Sequence, residues 1–561
     1  MTDMDLKVIA LIAGFFIIVI YVAIDNKRKY NAKLINRLKN EWGKPGKREH
    51  SREEYDNISH YFRDTFEEKN DIDDITWNDL NMDAVFNTIN TTNSSIGQEY
   101  LYKTLRTPVQ DEEKLKKMDR LADYFTSHEK ERIQVQKRFA SFGFVKKISL
   151  SDYIGLVTDL KSGNNTIHYI LLLAEILSFV ICFTVNPVVG VAMIVICVAV
   201  MIGTYYKMKA QVERYFVCVT QFINLVGVSE KISSDGIGGL KEYDEQLKTI
   251  AGRFSKVTGK SWILEKGNVT GSLAEMIMIY VRMLTHIDLI HFNSMIRVLN
   301  KKEEDARQLM DILGFIETSI AVGSFRQMLA YYSVPEFSDD GSMRLDVQEV
   351  FHPLIKDPVA NSLDTDRNIL LTGSNASGKS TFLRTIAINA LLSQTIYTSV
   401  SKKYTAPRFR IFSSMSLKDD LSSSSSYYIV EIRSLKRILD IIEPGGCPVL
   451  CFVDEVLRGT NTVERIAASS EILKYIYGKN ALCFAATHDI ELTSILEKYY
   501  TNYHFQEEVT DDDVKFNFTL FKGPATTRNA IKLLKIMGYD KSIVERAETN
   551  AAHFIDTGLW K

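Results

Sequence analysis

The sequence predicts a chain in two parts. The first is all-α and interrupted by transmembrane helices, and the second is a C-terminal α/β domain with a phosphate-binding loop. Three observations carry this: a loop of the pattern G-x-x-x-x-G-K-[ST], short apolar strands alternating with helices beyond Asp346, and long apolar runs upstream. The loop is Gly373-Ser374-Asn375-Ala376-Ser377-Gly378-Lys379-Ser380-Thr381. An apolar strand, Ile369 to Leu371, leads in, and an amphipathic helix from Ser380 to about Leu392 leads out. The two glycines allow a turn tight enough for backbone N–H groups to converge on phosphate oxygens. Lys379 reaches the outer phosphates, the Ser380 hydroxyl can ligate Mg²⁺, and the helix N-terminus adds its dipole. The loop therefore predicts binding of a nucleoside triphosphate.

At 561 residues the chain is too long for one ordinary core, and two to four domains are expected. A hydrophobic content of 45% and a net charge of −2 describe a folded protein without global polycationic character. Any nucleic-acid contact must come from a local patch. The six cysteines include no CxxC pair, which predicts reduced packing residues.

The first apolar run, Val8 to Ile24, is about 17 residues long, the lower limit for a spanning helix. Lys27, Arg28 and Lys29 follow it while Asp3 and Asp5 precede it, the reverse of a signal peptide. The basic flank predicts an outside N-terminus and a cytoplasmic remainder, and the basic tract to Arg48 suits anionic lipid. Two further runs, Ile167–Val185 and Val188–Tyr205, are separated only by Asn186-Pro187, as in a tight hairpin. Lys161 before them and Lys207 and Lys209 after them keep both flanks on the cytoplasmic side. Glu175, inside the second run, is an intramembrane carboxylate and so either a functional group or one paired with its partner helix. The expected arrangement is about three spans in a multi-pass protein of the cell membrane.

Around these runs the pattern is helical. Asn81 to Leu121 contains a capped start, Asn90 to Gly97, and a helix carrying Leu101 and Leu105 that is closed by Pro108. From Lys209 to Tyr332 apolar residues recur at three/four spacing until Pro335, and Ser338 to Met343 is a polar linker. The expected segments are 1–26 (transmembrane helix), 27–80 (basic juxtamembrane), 81–165 (helical), 166–206 (transmembrane hairpin), 207–337 (helical) and 345–561 (the α/β domain).

Within that domain Pro448 to Glu455 is an apolar strand ending in two acids. At the carboxyl edge of a parallel sheet Asp454 would hold Mg²⁺ through water and Glu455 would polarise the attacking water. A further strand, Ala481 to Ala486, ends in Thr487-His488, and His488 beside the outer phosphate would sense or stabilise it. Ser422 to Ser426 caps another helix whose apolar positions are Ile429, Ile432, Leu435 and Ile438.

Together these pieces resemble the MutS family, the ABC-type ATPases of DNA mismatch repair. The resemblance rests on Gly373 to Thr381, Asp420-Leu421 with Ser426 through Glu431, and Asp454-Glu455 followed by Arg458-Gly459-Thr460-Asn461. It extends to Ala486 to Asp489, Gly523, Ala530-Ile531 and Arg546-Ala547, and upstream to Thr92 through Gly97 with Leu101, Leu105 and Pro108, and to Tyr332 through Glu336. The resemblance implies an ABC-type P-loop ATPase domain behind a MutS core- and lever-like helical region, with ATP and Mg²⁺ as cofactors. It implies a homodimer through the ATPase domain in which Ser426 of one subunit reaches the nucleotide of the other. It implies coupling of hydrolysis to clamping of duplex DNA. The chain departs from the family at Ser424, where glycine is usual, and at Glu464-Arg465, which replaces Asp-Gly. It leaves no room for the mismatch-reading N-terminal domain, and Phe66-Glu67-Glu68 follows the first apolar run too closely to be that domain's wedge. A membrane-tethered MutS-like ATPase is the expected function. A membrane scaffold or signalling ATPase is the alternative, and an ABC transporter the weakest reading.

Overall fold

A buried carboxylate organises the helical part. A computed structural model of the chain describes residues 3–109, 111–145, 148–158, 160, 163–255, 273–374, 377–415, 427–442, 446–458, 460–509, 514–525 and 530–560. Its helical part runs α1 (Asp3–Glu41), α2 (Arg52–Arg63), α3 (Asp74–Asp79), α4 (Met82–Ile89), α5 (Ser95–Arg106), α6 (Glu112–Ser127), α7 (Glu129–Phe142) and α8 (Leu150–Thr158). It continues with α9 (Thr166–Thr184), α10 (Pro187–Ser234), α11 (Lys241–Gly252), α12 (Leu273–Thr285), α13 (Ile287–Leu299) and α14 (Glu303–Met328). Ser94 caps α5, within the capped start expected over Asn90 to Gly97, and Thr107-Pro108 ends it. The cap is completed from far away in sequence. Glu317 of α14 accepts from the Asn93 N–H at 2.6 Å, the Gly97 N–H at 3.1 Å and the Ser94 hydroxyl. A Cβ at Gly97 would stand 2.4 Å from a Glu317 carboxylate oxygen, so only glycine lets α14 approach this closely. Glu99, one turn on, accepts from the Leu150 N–H at 2.7 Å and caps α8 in the same manner.

Among the described residues two helices are long and apolar enough to cross a membrane, Thr166–Thr184 and Pro187–Glu213. Asn186 caps the second, its side chain accepting from Val188 and Val189, with Pro187 in the first turn. Most large apolar side chains along the hairpin face outward; Phe183, Val185 and Val188 are over three-quarters exposed. Of the three expected spans, the first, Val8 to Ile24, lies within the 39-residue α1, and its side chains before Tyr21 are outside the described residues. Among the described residues, two helices show the length and composition of a span, and the side chains of most of the first run fall outside them. Glu175 is half-buried in α9. α10 does not stop at the hairpin: it is one helix of 48 residues that runs on into the helical core and buries Val219, Phe222, Leu225 and Ile232.

The α/β part begins after α14. Its strands are β1 (Glu336–Phe337), β2 (Leu345–Val350), β3 (Asn361–Thr365), β4 (Asn368–Thr372), β5 (Lys403–Ala406) and β6 (Arg410–Ser414). β7 (Val449–Asp454), β8 (Ala481–Ala486), β9 (Tyr500–His504), β10 (Glu507–Val509), β11 (Val514–Phe516) and β12 (Phe521–Lys522) follow. The interleaved helices are α15 (Lys379–Ile396), α16 (Tyr427–Ile441), α17 (Thr462–Ile476) and α18 (Glu491–Ile495), with α19 (Ala530–Ile536) and α20 (Lys541–Thr557) at the end. The main sheet has the order β12-β9-β4-β8-β7-β6, parallel throughout except for β12. β4 and β8 are buried along their whole length, as parallel strands covered on both faces are. All six cysteines are free, and Cys451 and Cys483 are paired neighbours in this core.

Residues 52–80 do not trail as a juxtamembrane tract. They fold into α2 and α3, bury Tyr61, Phe62 and Trp77, and dock on the α/β part. Asp79 accepts from the Ser413 hydroxyl at 2.7 Å and the Met415 N–H at 2.8 Å, while Asp73 pairs with Arg437 of α16.

Burial pushes the Glu317 carboxyl up to about 7 and Glu99 to about 8, outweighing the donors around each. The folded chain thus holds these protons more tightly than the unfolded chain. The resulting stability is complete below the ordinary carboxyl range and is lost as pH rises through 7 and 8. The melting temperature of the detergent-solubilised protein is expected to fall between pH 5 and 8 and to fall less in Glu317→Gln. Gly97→Ala is expected to cost about 1–3 kcal/mol, the usual penalty for overpacking, measured by denaturant unfolding.

Candidate functional site

The carboxyl ends of β4, β7 and β8 lie side by side. Leu371 pairs with Ala486, and Ala486 with Asp454, so the loop after each strand starts at the same level. Gly373 leaves β4 at φ +142°, where an added Cβ would stand 2.6 Å from the Phe505 carbonyl. Gly378, at φ +106°, opens α15. Lys379 is 3% exposed, and its ammonium donates to the Gly373 and Ser374 carbonyls at 2.7 and 2.8 Å. It also lies 3.4 Å from Nε2 of His488. Burial lowers the ammonium to about 8, against the pull of Asp454, Glu455 and Glu507. Asn375 and Ala376 lie outside the described residues.

Asp454 ends β7 near Ser380, whose hydroxyl favours the charged form of its carboxyl. Its Oδ1 is buried with no hydrogen-bond partner among the described residues. A hydroxyl and a buried carboxylate oxygen with spare capacity form a hard-oxygen pair of the kind Mg²⁺ takes. Burial raises the Asp454 carboxyl, partly offset by Ser380.

Glu455 sits at φ +58° and Leu457 at φ +59°, both in the left-handed region, where side-chain-bearing residues are uncommon. The turn is held by the Glu455 N–H, which donates to the Ala486 carbonyl at 2.9 Å and aims the side chain at His488. His488 Nε2 lies 2.6 Å from one carboxylate oxygen, and Arg458 pairs with the other. Burial raises this carboxyl, but His488 and Arg458 outweigh it and hold it down to about 2. Next to His488, Asp489 accepts from Nη2 and Nε of Arg465 at 2.6 and 2.8 Å. Arg465, a departure from the expected motif, thus has a structural partner. Lys379, Ser380, Glu455, Arg458 and His488 line one open cleft of about 480 Å³.

Ser426 and the serine tract before α16 lie outside the described residues. In α16 Leu435 and Ile438 are buried, whereas Ile429 and Ile432 are about 40% exposed, so the predicted apolar stripe is covered only in its second half. Glu431 is buried; one oxygen accepts from the Arg458 N–H at 3.2 Å and the other has no partner among the described residues.

Other participants were not visible in the motifs. Glu507 accepts from the Ser374 hydroxyl at 3.1 Å. Beside Gly378 and Thr381 opens a second cavity of about 330 Å³, walled by Val359, Phe382, Phe505 and Phe518. Asn361 pins the Phe518 turn by donating to the Phe518 carbonyl and accepting from the Leu520 N–H, at 3.0 and 2.8 Å. His352 on its wall is lowered to about 4, by burial and then by Arg384, and is neutral at pH 7. Fixed polar groups and an adjoining apolar slot could hold a ligand with a polyanionic end and a flat apolar end.

The sequence profile of MutS domain V matches residues 369–555, which contain every described residue of the cleft. Over these residues the chain is similar to MutS domain V. Among similar curated proteins are the DNA mismatch repair protein MutS of Fervidobacterium nodosum, 32% identical over 257 residues (44% of this chain, 30% of that protein), and MutS 2 of Haloarcula marismortui, 32% identical over 196 residues (34% and 20%). MutS of Listeria monocytogenes is 31% identical over 226 residues (38% and 26%). The chain thus matches less than a third of the length of these MutS proteins.

Proposed function

We propose that this MutS-like chain is a membrane-tethered ATPase that binds ATP with Mg²⁺ and hydrolyses it. The observation that carries the reading is the convergence of Lys379, the Ser380–Asp454 pair and the Glu455–His488 pair at three adjacent strand ends. The glycine loop and Lys379 would take the phosphates, and the apolar cavity at Phe518 the base. Ser380 and Asp454 would hold Mg²⁺, which when bound neutralises phosphate charge. Glu455, deprotonated at any physiological pH, would accept a proton from the attacking water. His488 would orient that carboxylate and contact the outer phosphate.

The relatives' names point to DNA mismatch repair, and a dimer clamping duplex DNA follows from that resemblance. In that dimer Ser426 would complete the partner subunit's nucleotide site. The second reading is a membrane scaffold or signalling ATPase with no nucleic-acid role, which shares with the first the outward-facing apolar hairpin of α9 and α10.

Lys379→Ala is expected to weaken nucleotide binding. Glu455→Gln should bind ATP normally and lower turnover by about 10²-fold or more, the usual contribution of a general base. Equal turnover by wild type and Glu455→Gln would end the assignment. Mixing Ser426→Ala with Lys379→Ala protein should restore part of the activity through heterodimers that keep one intact site.

Because His488 helps hold Glu455 down, His488→Ala should raise the pKa of the base. The base works deprotonated, so the acid limb of the turnover profile should move to higher pH. A limb that stays in place while the rate falls would leave His488 with phosphate contact alone.

The two readings separate on the full chain in lipid nanodiscs. Duplex DNA should change the ATPase rate if the first holds and leave it unchanged if the second does. In intact cells a cysteine placed at Asn186 should react with an impermeant thiol reagent while positions beyond Lys209 stay protected; a labelled α/β part would overturn the topology.

A further inference from the structure

Between α5, α6, α11, α14 and the last turn of α15 lies a cavity of about 440 Å³ that shares no lining residue with the Lys379–His488 cleft. Its inner wall is aromatic: Tyr100 meets Phe315 edge-on at 6.5 Å, and Tyr243 lies 6.1 Å from the same Phe315 ring. Met118 and Ile312 extend the apolar surface.

Its polar side is cationic. Lys103, Lys114 and Lys117 line it against two acids, Asp311 and Glu242. Both acids are engaged: Glu242 pairs with Lys117, and Asp311 accepts from the Tyr61 hydroxyl. Lys114 makes no ion pair among the described residues. Lys103 is half-buried and rests over the Tyr61 ring, 4.1 Å from its centroid. Burial lowers the Lys103 ammonium; Asp311 raises it, while Lys114 and Arg307 lower it further. Two ammonium-bearing side chains, Lys103 and Lys114, thus line the same cavity as the aromatic wall. The arrangement costs electrostatic energy that a bound anion would relieve. The volume falls in the range of small-molecule pockets, roughly 300–1,000 Å³.

We propose that this cavity binds a small organic anion with an aromatic ring, the ring against Tyr100, Tyr243 and Phe315 and the anionic group between Lys103 and Lys114. The Thr395 wall places such a ligand against the far end of the helix that begins at Lys379, and the Val109 N–H donates to the Gln394 carbonyl beside it at 2.8 Å.

Pyridoxal 5′-phosphate is a suitable probe, being aromatic, phosphorylated and an aldehyde. A lysine amine adds to the aldehyde carbon, water leaves, and the imine formed is reduced by added borohydride to a stable secondary amine. The full chain in detergent is treated at limiting probe concentration and mapped by peptide mass spectrometry. Lys379 is scored separately, so failure of the ATP reading leaves this result intact. Lys103 and Lys114 together should label about tenfold faster than exposed lysines, the factor that 1.4 kcal/mol of site affinity supplies. Phenyl phosphate should protect them, and inorganic phosphate at the same concentration should not. Lys114→Gln, a change at an exposed position, should abolish the enhanced labelling of Lys103. Labelling no faster than that of exposed lysines, or equal protection by the two phosphates, would overturn the proposal.

Discussion

Ala486 is hydrogen-bonded into the sheet between Leu371 and Asp454, and this double register is what the functional part of the molecule depends on. A parallel sheet puts all its strand ends on one edge, but only a matched register puts the loop after β4, the acids after β7 and the histidine after β8 at one level. A slip of one residue would turn every side chain of β8 to the other face and move His488 away from Glu455. The register is itself held by burial. Phe452 and Phe484 stack at 5.4 Å across β7 and β8, and Cys451 faces Cys483 on the opposite side, so neither face tolerates a slip.

The edge so formed concentrates charge in little solvent. Asp454, Glu455, Glu507 and Arg458 all fall within electrostatic reach of Lys379. Each alone would be costly to bury, and the pairing is uneven. Glu455 is held by two partners, whereas Asp454 keeps a buried oxygen with none among the described residues. The difference separates two acids adjacent in sequence. One is stabilised as an anion and aimed by an unfavourable backbone angle; the other keeps coordination capacity beside a hydroxyl. Their chemistry diverges because the chain turns sharply between them.

How far the sequence led follows from the range of each interaction. Ala481–Ala486 reads as a strand and is one to the residue, because an apolar run buried on both faces is a local signal. Ser94 is legible as a cap for the same reason. Glu317, which completes that cap, lies more than two hundred residues away inside an apolar helix, and nothing local marks it as the partner of Gly97. Phe518 and Glu507 reach the loop by the same long-range route. Periodicity predicts that Ile429 and Ile432 share a face with Leu435 and Ile438, and they do; it does not say how far the covering neighbour extends, and it stops halfway. The boundary drawn at residue 206 fails because hydropathy falls there while helix propensity does not, so α10 runs through it.

Two rigid links join the hairpin to the sheet. α10 carries the hairpin's second helix directly into the helical core, where Tyr205 donates to Asp288 and Lys209 donates to Tyr205 at its entry. From that core α3 reaches back onto β6, where Asp79 and Thr76 take up the strand's end at Ser413 and Met415. Met415 immediately precedes the segment leading to the serine tract, and Arg437 on α16 is tied to Asp73 at the start of α3. The same short helix therefore touches the end of β6 before the serine tract and, through Asp73 at its start, the second half of α16 after it. α3 is itself packed into the core that α10 enters, through Trp77. The hairpin and the strand edge are thereby joined through packed helices.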